Sequence, residues 1–295
     1  MNLVADLHLH STVSDGTLSP TELMRRAAEA GLRTAALTDH DNLDGLGEAA
    51  EAAASLGIRF IPGVELSCGG GKEIHVLGYG YDPNPAELAS FCREKQQERF
   101  VRTARMVEQL AENGVRVAYD RVLEIACGVP GRPHVGRAIV EAGYAGSLKE
   151  AFSHFLDPGR CGYVAKKDTP VAEGVRLLHR AGGVAVLAHP MQLKKSHAAL
   201  DSLIGEWAKA GLDGIEVYHP SADAGDIPAL LCIAERLDLL VTGGSDFHGR
   251  EVKPDVAIGQ GLERWRTAEK DVLLLTERIR QRQGQRSCYH TENME

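Results

Sequence analysis

Nine imidazole and carboxylate side chains follow short apolar runs along the first 248 residues. They are His8, His10, Asp15, His40, Glu65, His75, His189, Asp246 and His248. If they converge in one partly buried place, the carboxylates repel each other and lack partners unless cations bind between them. Mixed imidazole and carboxylate donors suit manganese, iron or zinc better than magnesium or calcium. We therefore expect two or three divalent ions, manganese first, with Glu65 and Asp246 as bridging ligands.

Strand periodicity supports some of these residues. His8 and His10 stand two positions apart, so on a strand both side chains face the same side. Asp6 shares that phase, and it either orients a ligand imidazole or pairs with a backbone group. His219 follows the sixth apolar run. It either contacts the substrate and protonates a leaving oxygen, or supports a ligand from behind.

The elements that must bring these residues together alternate along the chain. Strand-like runs occur at 2–8, 34–39, 58–66, 73–80, 184–189, 213–218 and 239–245. Most are separated by helix-like segments at 20–30, 42–56, 170–181, 199–210 and 226–237. This alternation predicts an α/β fold with a parallel sheet or a barrel, and seven strands favour a barrel smaller than the eight-stranded form. Functional groups of such barrels gather at one rim, so the nine side chains are expected to converge.

The connection between the third and fourth runs is an exception. Only the segment 67–72 separates them, which is too short for a crossover helix. A hairpin and a local excursion of the chain both remain possible from the sequence.

Residues 81–165 lack the barrel pattern. Helical patterns occupy 86–113, 119–126, 133–142 and 147–156. They predict a helical insertion subdomain that acts as a lid over one rim. The barrel domain then comprises 1–80 and 166–282, and the polar segment 283–295 is expected to be a disordered tail.

Composition narrows the class of protein. Hydrophobic residues make up 43% of the chain, and a net charge of -8 argues against stable DNA binding while allowing a small phosphorylated ligand in a local pocket. Six cysteines stand singly without a CxxC pair, so no disulfide framework is expected and a reducing, cytoplasmic location is predicted. The sequence shows no signal peptide pattern and no apolar run long enough for a membrane span.

Six motifs in order resemble the polymerase and histidinol phosphatase (PHP) superfamily of metal-dependent phosphoesterases. They are Asp6-Leu7-His8-Leu9-His10-Ser11, Thr38-Asp39-His40-Asp41, Pro62-Gly63-Val64-Glu65, His75, Ala188-His189-Pro190 and Gly244-Ser245-Asp246-Phe247-His248. The resemblance implies a distorted seven-stranded β/α barrel. It also implies three metal sites, formed by His8, His10, Glu65 and Asp246, by Glu65, His75 and His189, and by Asp15, His40 and His248.

Within this superfamily, the insertion and the segment 131–135 resemble the branch that removes the 3'-phosphate from nucleoside 3',5'-bisphosphates. Relatives in that branch trim short 5'-phosphorylated RNA. The resemblance implies that Arg132 and His134 bind substrate, and an arginine fork suits phosphate oxygens. The alternative is a solvated loop before a helix. Lys166 and Lys167 either reach a phosphate or form a solvated pair.

The expected activity is hydrolysis of a phosphomonoester by water activated between metal ions, with Glu65, Asp246 and His219 as the catalytic residues. Two alternatives remain open. One is a phosphatase of the same superfamily that acts on histidinol phosphate or a sugar phosphate. The other is a metal-binding accessory module without turnover.

Overall fold

Seven strands form one sheet whose spatial order follows the chain. The computed structural model describes residues 5–69, 74–126, 128–258 and 267–292. The strands are β1 (Ala5–Asp6), β2 (Thr34–Leu37), β3 (Arg59–Cys68), β4 (Ile74–Tyr79), β5 (Val184–Leu187), β6 (Gly214–Tyr218) and β7 (Leu240–Gly243). The predicted seven-stranded barrel is confirmed.

The two edges of this sheet approach each other just beyond β1 and β7, so the barrel nearly closes. The His10 amide donates to the Phe247 carbonyl at 3.0 Å, and the Asp246 amide donates to the His8 carbonyl at 2.9 Å. Backbone pairing therefore sets two histidines of the first motif beside the last motif of the chain.

One strand of the barrel runs in the opposite direction to the others. β4 runs antiparallel to both β3 and β5, whereas the other neighbouring strands are parallel. β3 and β4 therefore form a hairpin, which decides between the two alternatives; its connecting residues 70–73 lie outside the described part of the chain. His75, near the start of β4, pairs with Ser67 near the end of β3. Because β4 runs in the opposite direction, its first residues lie at the same rim of the barrel as the last residues of β3 and β5.

Helices surround the barrel and fill the interval between β4 and β5. They are α1 (Pro20–Glu29), α2 (Leu46–Ser55), α3 (Ala86–Glu112), α4 (Tyr119–Ala126), α5 (Arg132–Glu141), α6 (Leu148–Ala151), α7 (Val171–Arg180), α8 (His197–Lys209), α9 (Asp226–Arg236) and α10 (Glu269–Glu292). A π-helical turn at Phe152–Leu156 continues α6, and a 3-10 turn spans Pro190–Leu193. Among the described residues, no helix combines the length and apolar character needed to cross a membrane.

The helices α3 to α6 occupy the predicted insertion. The second half of α3 packs into a separate apolar cluster with α4 and α5, which includes Met106, Leu110 and Ile139. The first half instead contributes Leu88 and Cys92 to a core cluster of the barrel. α3 thus connects two cores, and the role of the insertion as a lid bounded at 81 and 165 stays a prediction.

The C-terminal helix α10 continues to Glu292. Side chains of this helix contact the barrel. Arg282 Nη2 donates to Asp213 Oδ1 at 2.6 Å, and Gln283 Nε2 donates to the Gly80 carbonyl at 2.7 Å. These contacts hold this part of α10 against the barrel, and the disordered tail at 283–295 stays a prediction.

The close approach of β1 and the segment after β7 gives a testable expectation. A Cβ atom at Gly244 would lie 2.3 Å from His8 Cβ and 2.5 Å from His8 N. We expect Gly244→Ala to lower the free energy of unfolding by about 1–3 kcal/mol, since a packed core must shift to admit it. Urea denaturation in the presence of a chelator measures this change without a contribution from metal.

Gly205→Ala in α8 is the matched control, because a Cβ there meets no atom within 4 Å. It should raise the free energy of unfolding by about 0.5–1 kcal/mol, as alanine favours a helix interior. Equal stabilities of the two variants would contradict the proposed close packing.

Candidate metal centre

All nine predicted ligands converge at one rim of the barrel. Eight of them form three groups whose nitrogen and carboxylate oxygen atoms lie within 4.8 Å of one another. The groups are His8, His10, Glu65 and Asp246; His10, Asp15, His40 and His248; and His40, Glu65 and His75. His189 adjoins the last group, with its Nε2 2.9 Å from Glu65 Oε1 and 3.3 Å from His75 Nδ1.

The first group is buried beneath the rim. Glu65 Oε2 lies 3.2 Å from His8 Nε2 and 3.1 Å from His10 Nε2. Asp246 Oδ1 lies 3.6 Å and 3.4 Å from the same two nitrogens. Two imidazoles and two carboxylates thus face a common point, which matches the four-residue set that the sequence resemblance implies.

Glu65 belongs to two of the three groups, and its two oxygens face different histidines. Oε1 is 2.8 Å from His75 Nδ1, whereas Oε2 is 3.1 Å from His40 Nδ1. Burial opposes ionisation of this carboxyl, but the facing imidazoles, His40 first, hold its pKa well below its usual range. Glu65 is therefore ionised, and its two oxygens could bind different metal ions.

The remaining group surrounds Asp15 after the first motif. Asp15 Oδ1 lies 3.2 Å from His248 Nε2, and Oδ2 lies 4.0 Å from His40 Nε2. His10 Nδ1 is 3.9 Å from Asp15 Oδ1. His10 therefore faces this group with one ring nitrogen and the first group with the other.

The donor set fits divalent metal ions. Among the described residues, several buried ligand atoms have no hydrogen-bond partner. They are His8 Nε2, His10 Nδ1, His10 Nε2, His40 Nδ1, Glu65 Oε2 and His75 Nε2. Leaving so many buried polar atoms unpaired is costly, and cations would satisfy them. Imidazole nitrogens and carboxylate oxygens are the ligands of transition metals.

Protonation of the histidines depends on the carboxylates beside them. Burial lowers the pKa of His40 well below its usual value, so its imidazole is neutral and suited to metal binding. Burial also disfavours a charged His10, but the carboxylates of Asp246 and Glu65 that face its ring raise its pKa to about 9. Without metal, a proton therefore takes the place of a cation there, and metal binding must release it.

Asp6 serves the backbone, which decides between its two predicted roles. Its Oδ1 accepts hydrogen bonds from the His8 amide at 3.2 Å and the Ser245 amide at 3.0 Å. Burial raises the pKa of Asp6 to about 6. This carboxyl connects β1 to the segment after β7 and so fixes the backbone on both sides of the first ligand group.

His219 is brought to the same rim as the metal ligands. Its Nε2 lies 3.3 Å from Asp246 Oδ2, and its Nδ1 lies 2.8 Å from Ser221 Oγ. The side chain is buried. His219 therefore contacts Oδ2 of Asp246, whereas His8 and His10 face Oδ1.

Glu216 and Lys253 are site residues that the sequence analysis missed. Glu216 Oε1 lies 3.0 Å from His8 Nδ1, and its Oε2 accepts from the His189 amide at 2.8 Å. An acidic residue within the apolar run 213–218 was the available signal. Lys253 Nζ contacts Asp246 Oδ2 at 2.5 Å and the Asp246 carbonyl at 3.1 Å. It lies in a loop, where no periodicity marks it.

Arg132 and His134 lie at the start of α5, outside the three ligand groups. His134 is buried rather than solvated, and its Nδ1 accepts from the Gly131 amide at 3.0 Å. Burial lowers the pKa of His134 to about 4, and Asp15 is close enough to oppose that shift. The Arg132 guanidinium lies 5.0 Å from the centre of the Phe152 ring. The segment therefore borders the metal centre while part of it stabilises the helix start.

A cleft with a surplus of positive charge lies along α3. It has a volume of about 340 Å³, and the cations in its lining include Arg99, Arg102, Arg105, Lys166 and Lys167, beside the carboxylates of Asp41, Glu94 and Glu98. A smaller pocket shares Arg102, Lys166 and Lys167 and adds Arg132. Asp41, one residue after the predicted ligand His40, is the lining residue that connects this cleft to the ligand motifs.

Lys166 and Lys167 differ in their surroundings. Lys167 Nζ pairs with Glu94 at 2.9 Å and Glu98 at 3.2 Å on the exposed surface, as expected for a solvated ion pair. Lys166 is close enough to His75 to lower the pKa of that imidazole, after the larger effect of burial. Of the two lysines, Lys166 is therefore the one whose charge acts on a predicted metal ligand.

Comparisons with known proteins agree with this geometry. The PHP domain family model matches residues 6–224. A 3',5'-nucleoside bisphosphate phosphatase from Chromobacterium violaceum is 37% identical over 84% of this chain and 90% of that protein. A 5'-3' exoribonuclease from Haemophilus influenzae is 34% identical over 82% of this chain and 89% of that protein. A structure from Bifidobacterium adolescentis, assigned as a metal-dependent phosphoesterase, has a TM-score of 0.82 at 33% identity and covers 94% of this chain and 96% of its own.

The contact of Lys253 with Asp246 predicts a stability change that depends on metal. In the metal-free protein, Lys253→Met leaves the buried Asp246 carboxylate without its ammonium partner. We expect the free energy of unfolding to fall by about 1–3 kcal/mol. Added Mn²⁺ should shrink this loss, because a bound cation neutralises the same carboxylate. Urea denaturation with chelator and with Mn²⁺ measures both values.

Lys209→Met, at an exposed position near the end of α8, is the control for loss of one positive charge. It should change stability equally with and without Mn²⁺. If Lys253→Met behaves in the same way as this control, Lys253 contributes no specific charge to Asp246.

Proposed function

Because this chain belongs to the PHP domain family, we propose that it is a metal-dependent phosphoesterase that removes the 3'-phosphate from nucleoside 3',5'-bisphosphates, such as adenosine 3',5'-bisphosphate. Short 5'-phosphorylated RNA is its second proposed substrate class. The observation that carries the proposal is the presence of three groups of predicted metal ligands, two of which share Glu65. A cleft lined by several lysines and arginines lies along α3. The activities named for two relatives of 37% and 34% identity support the nucleotide substrate.

We propose two or three divalent ions as the cofactor, with manganese preferred and iron or zinc as alternatives. The mixture of imidazoles and carboxylates supports this choice. We assign the first ion to His8, His10, Glu65 and Asp246, the second to Glu65, His75 and His189, and the third to Asp15, His40 and His248. The contacts of Glu65 Oε1 and Oε2 with different histidines support its role as a bridge.

The protein side chains have separate tasks in the proposed reaction. Bound divalent ions would supply Lewis acidity toward the phosphoryl oxygens and lower the pKa of a water molecule. Glu65 and Asp246 fix the positions of the ions. His219, 3.3 Å from Asp246, is assigned to protonate the leaving 3'-oxygen.

The insertion side chains are assigned to the phosphate that does not react. Arg132 and Lys166 border the same small pocket, which supports a common role in binding the 5'-phosphate. His134 is also assigned to substrate binding. It lies at the start of α5, where the charge of Asp15 acts on its imidazole. The barrel would then bind the phosphate that reacts, and the insertion would bind the phosphate that does not.

Other functions have less support. A histidinol-phosphate or sugar-phosphate phosphatase needs no second phosphate site, so the cationic pocket at Arg132 favours the bisphosphate. An accessory module without turnover would not require the complete ligand groups around Glu65. A cytoplasmic location and the lack of stable DNA binding remain predictions based on cysteine pattern and net charge.

The metal requirement is tested by the content and activity of the purified protein. We expect two to three equivalents of transition metal per chain and loss of phosphatase activity after chelation. Glu65→Gln and Asp246→Asn should lower metal content and activity most. Glu65 belongs to two ligand groups, and Asp246 Oδ1 faces His8, His10 and His248. Elemental analysis and phosphate release measure these effects, with the exposed Glu206→Gln as the control. Activity that survives exhaustive chelation would overturn the metal requirement.

The substrate assignment is tested by Arg132→Ala. A charge-assisted contact with phosphate contributes roughly 1.5–3 kcal/mol, so kcat/KM for adenosine 3',5'-bisphosphate should fall about ten- to hundredfold. Use of a small aryl phosphate and the metal content should stay nearly unchanged. Steady-state kinetics on both substrates measure this difference.

Arg116→Ala is the control, because it removes an exposed arginine from the same insertion. It should leave both substrates unaffected. Equal losses on both substrates for Arg132→Ala would assign Arg132 to the reacting phosphoryl group. No loss on either substrate would remove the support for the bisphosphate.

A further inference from the structure

The carboxylate of Glu216 faces two metal-ligand residues from inside the barrel. Its Oε1 lies 3.0 Å from His8 Nδ1, and its Oε2 accepts from the His189 amide at 2.8 Å. Glu216 itself is fully buried on β6. An ionised carboxylate can only accept hydrogen bonds, so both facing atoms must carry protons.

We infer that Glu216 is a positioning residue that fixes the proton of His8 on Nδ1 and keeps Nε2 available for the first metal ion. This inference rests on the proposed metal centre. A neutral imidazole carries one proton, and whichever nitrogen holds it cannot bind a metal. His8 Nε2 faces Glu65 Oε2 at 3.2 Å and Asp246 Oδ1 at 3.6 Å, within the first ligand group.

Glu216 also holds the backbone of a second ligand residue. His189 has a φ of 29°, in the left-handed region that non-glycine residues rarely adopt. Its amide is the group bound by Glu216 Oε2. His189 Nε2 contacts Glu65 Oε1 at 2.9 Å. The Glu216 carboxylate therefore supports His8 and His189, which face different oxygens of the proposed bridge Glu65.

The change from Glu216 to glutamine separates these two tasks. A glutamine side chain has nearly the same shape but offers one acceptor oxygen and one amide donor. The His189 amide can only donate, so it keeps the oxygen. The glutamine NH₂ then faces His8 Nδ1, which must accept, and the His8 proton moves to Nε2. The first metal site thereby loses a ligand while the packing is preserved.

We expect Glu216→Gln to bind the first Mn²⁺ equivalent about 10- to 100-fold more weakly than the wild type, the usual effect of losing a carboxylate behind a ligand histidine. Calorimetric titration of the chelated protein with Mn²⁺ measures this affinity. Urea denaturation in chelator checks that the variant is folded.

Asp213→Asn is the matched control. Asp213 is also buried, and its Oδ2 lies 2.7 Å from His179 Nε2 and accepts from the Ala185 amide at 2.9 Å. Neither partner belongs to the three ligand groups. This variant should therefore bind Mn²⁺ with nearly wild-type affinity.

The wild type provides a second test that does not depend on the fold of a variant. In protein labelled with ¹⁵N-histidine and loaded with Zn²⁺, the His8 signals, assigned by their loss in His8→Gln, should show a protonated Nδ1 and a metal-bound Nε2. A protonated Nε2 would overturn the inference.

The outcomes separate this inference from the proposed function. Mn²⁺ binding by Glu216→Gln with wild-type affinity and stoichiometry would overturn the role of Glu216 and leave the metal centre intact. A wild-type protein that binds no divalent metal would overturn the proposed function, and the inference with it. Weaker Mn²⁺ binding by Glu216→Gln alone, with Asp213→Asn unaffected, would support the inference.

Discussion

The structure depends on one electrostatic constraint, the burial of several imidazoles and carboxylates around Glu65. These groups have nearly no access to water, and several of their nitrogens and oxygens lack hydrogen-bond partners among the described residues. Only protons or cations can balance such a site. The facing carboxylates raise the pKa of His10 to about 9, which favours a bound proton there, and Lys253 contacts Asp246 with its ammonium group.

The barrel satisfies this constraint by fixing the backbone before the side chains meet. Asp6 connects β1 to the segment after β7, and Gly244 lets that segment lie against His8. The reversed direction of β4 brings His75 to the same rim as Glu65. The site is therefore made of short, rigid strand ends, and a bound ion would find its ligands already in position.

Helix α3 contributes positive charge to the cleft beside it, through Arg99, Arg102 and Arg105. α3 is held to the barrel by Arg99, whose Nη2 lies 3.0 Å from Asp41 Oδ2 one residue after His40. The cleft along this helix thus has a fixed relation to the ligand groups. Phosphate recognition and metal binding can then depend on different elements of the same fold.

The sequence by itself determined the strands, most helices and the identity of the metal-ligand candidates, because periodicity and motif spacing are local properties. It did not determine the direction of β4, since a short connection between residues 67 and 74 is compatible with more than one path. It did not predict the contacts of Arg282 and Gln283 with the barrel, because their partners Asp213 and Gly80 are distant in sequence. Only the tertiary structure brought Glu216 behind His8, because these two residues are separated by 208 positions. It also brought Lys253 beside Asp246. Such supporting residues are decided by which side chains the closed barrel places in contact, and no local pattern encodes that contact.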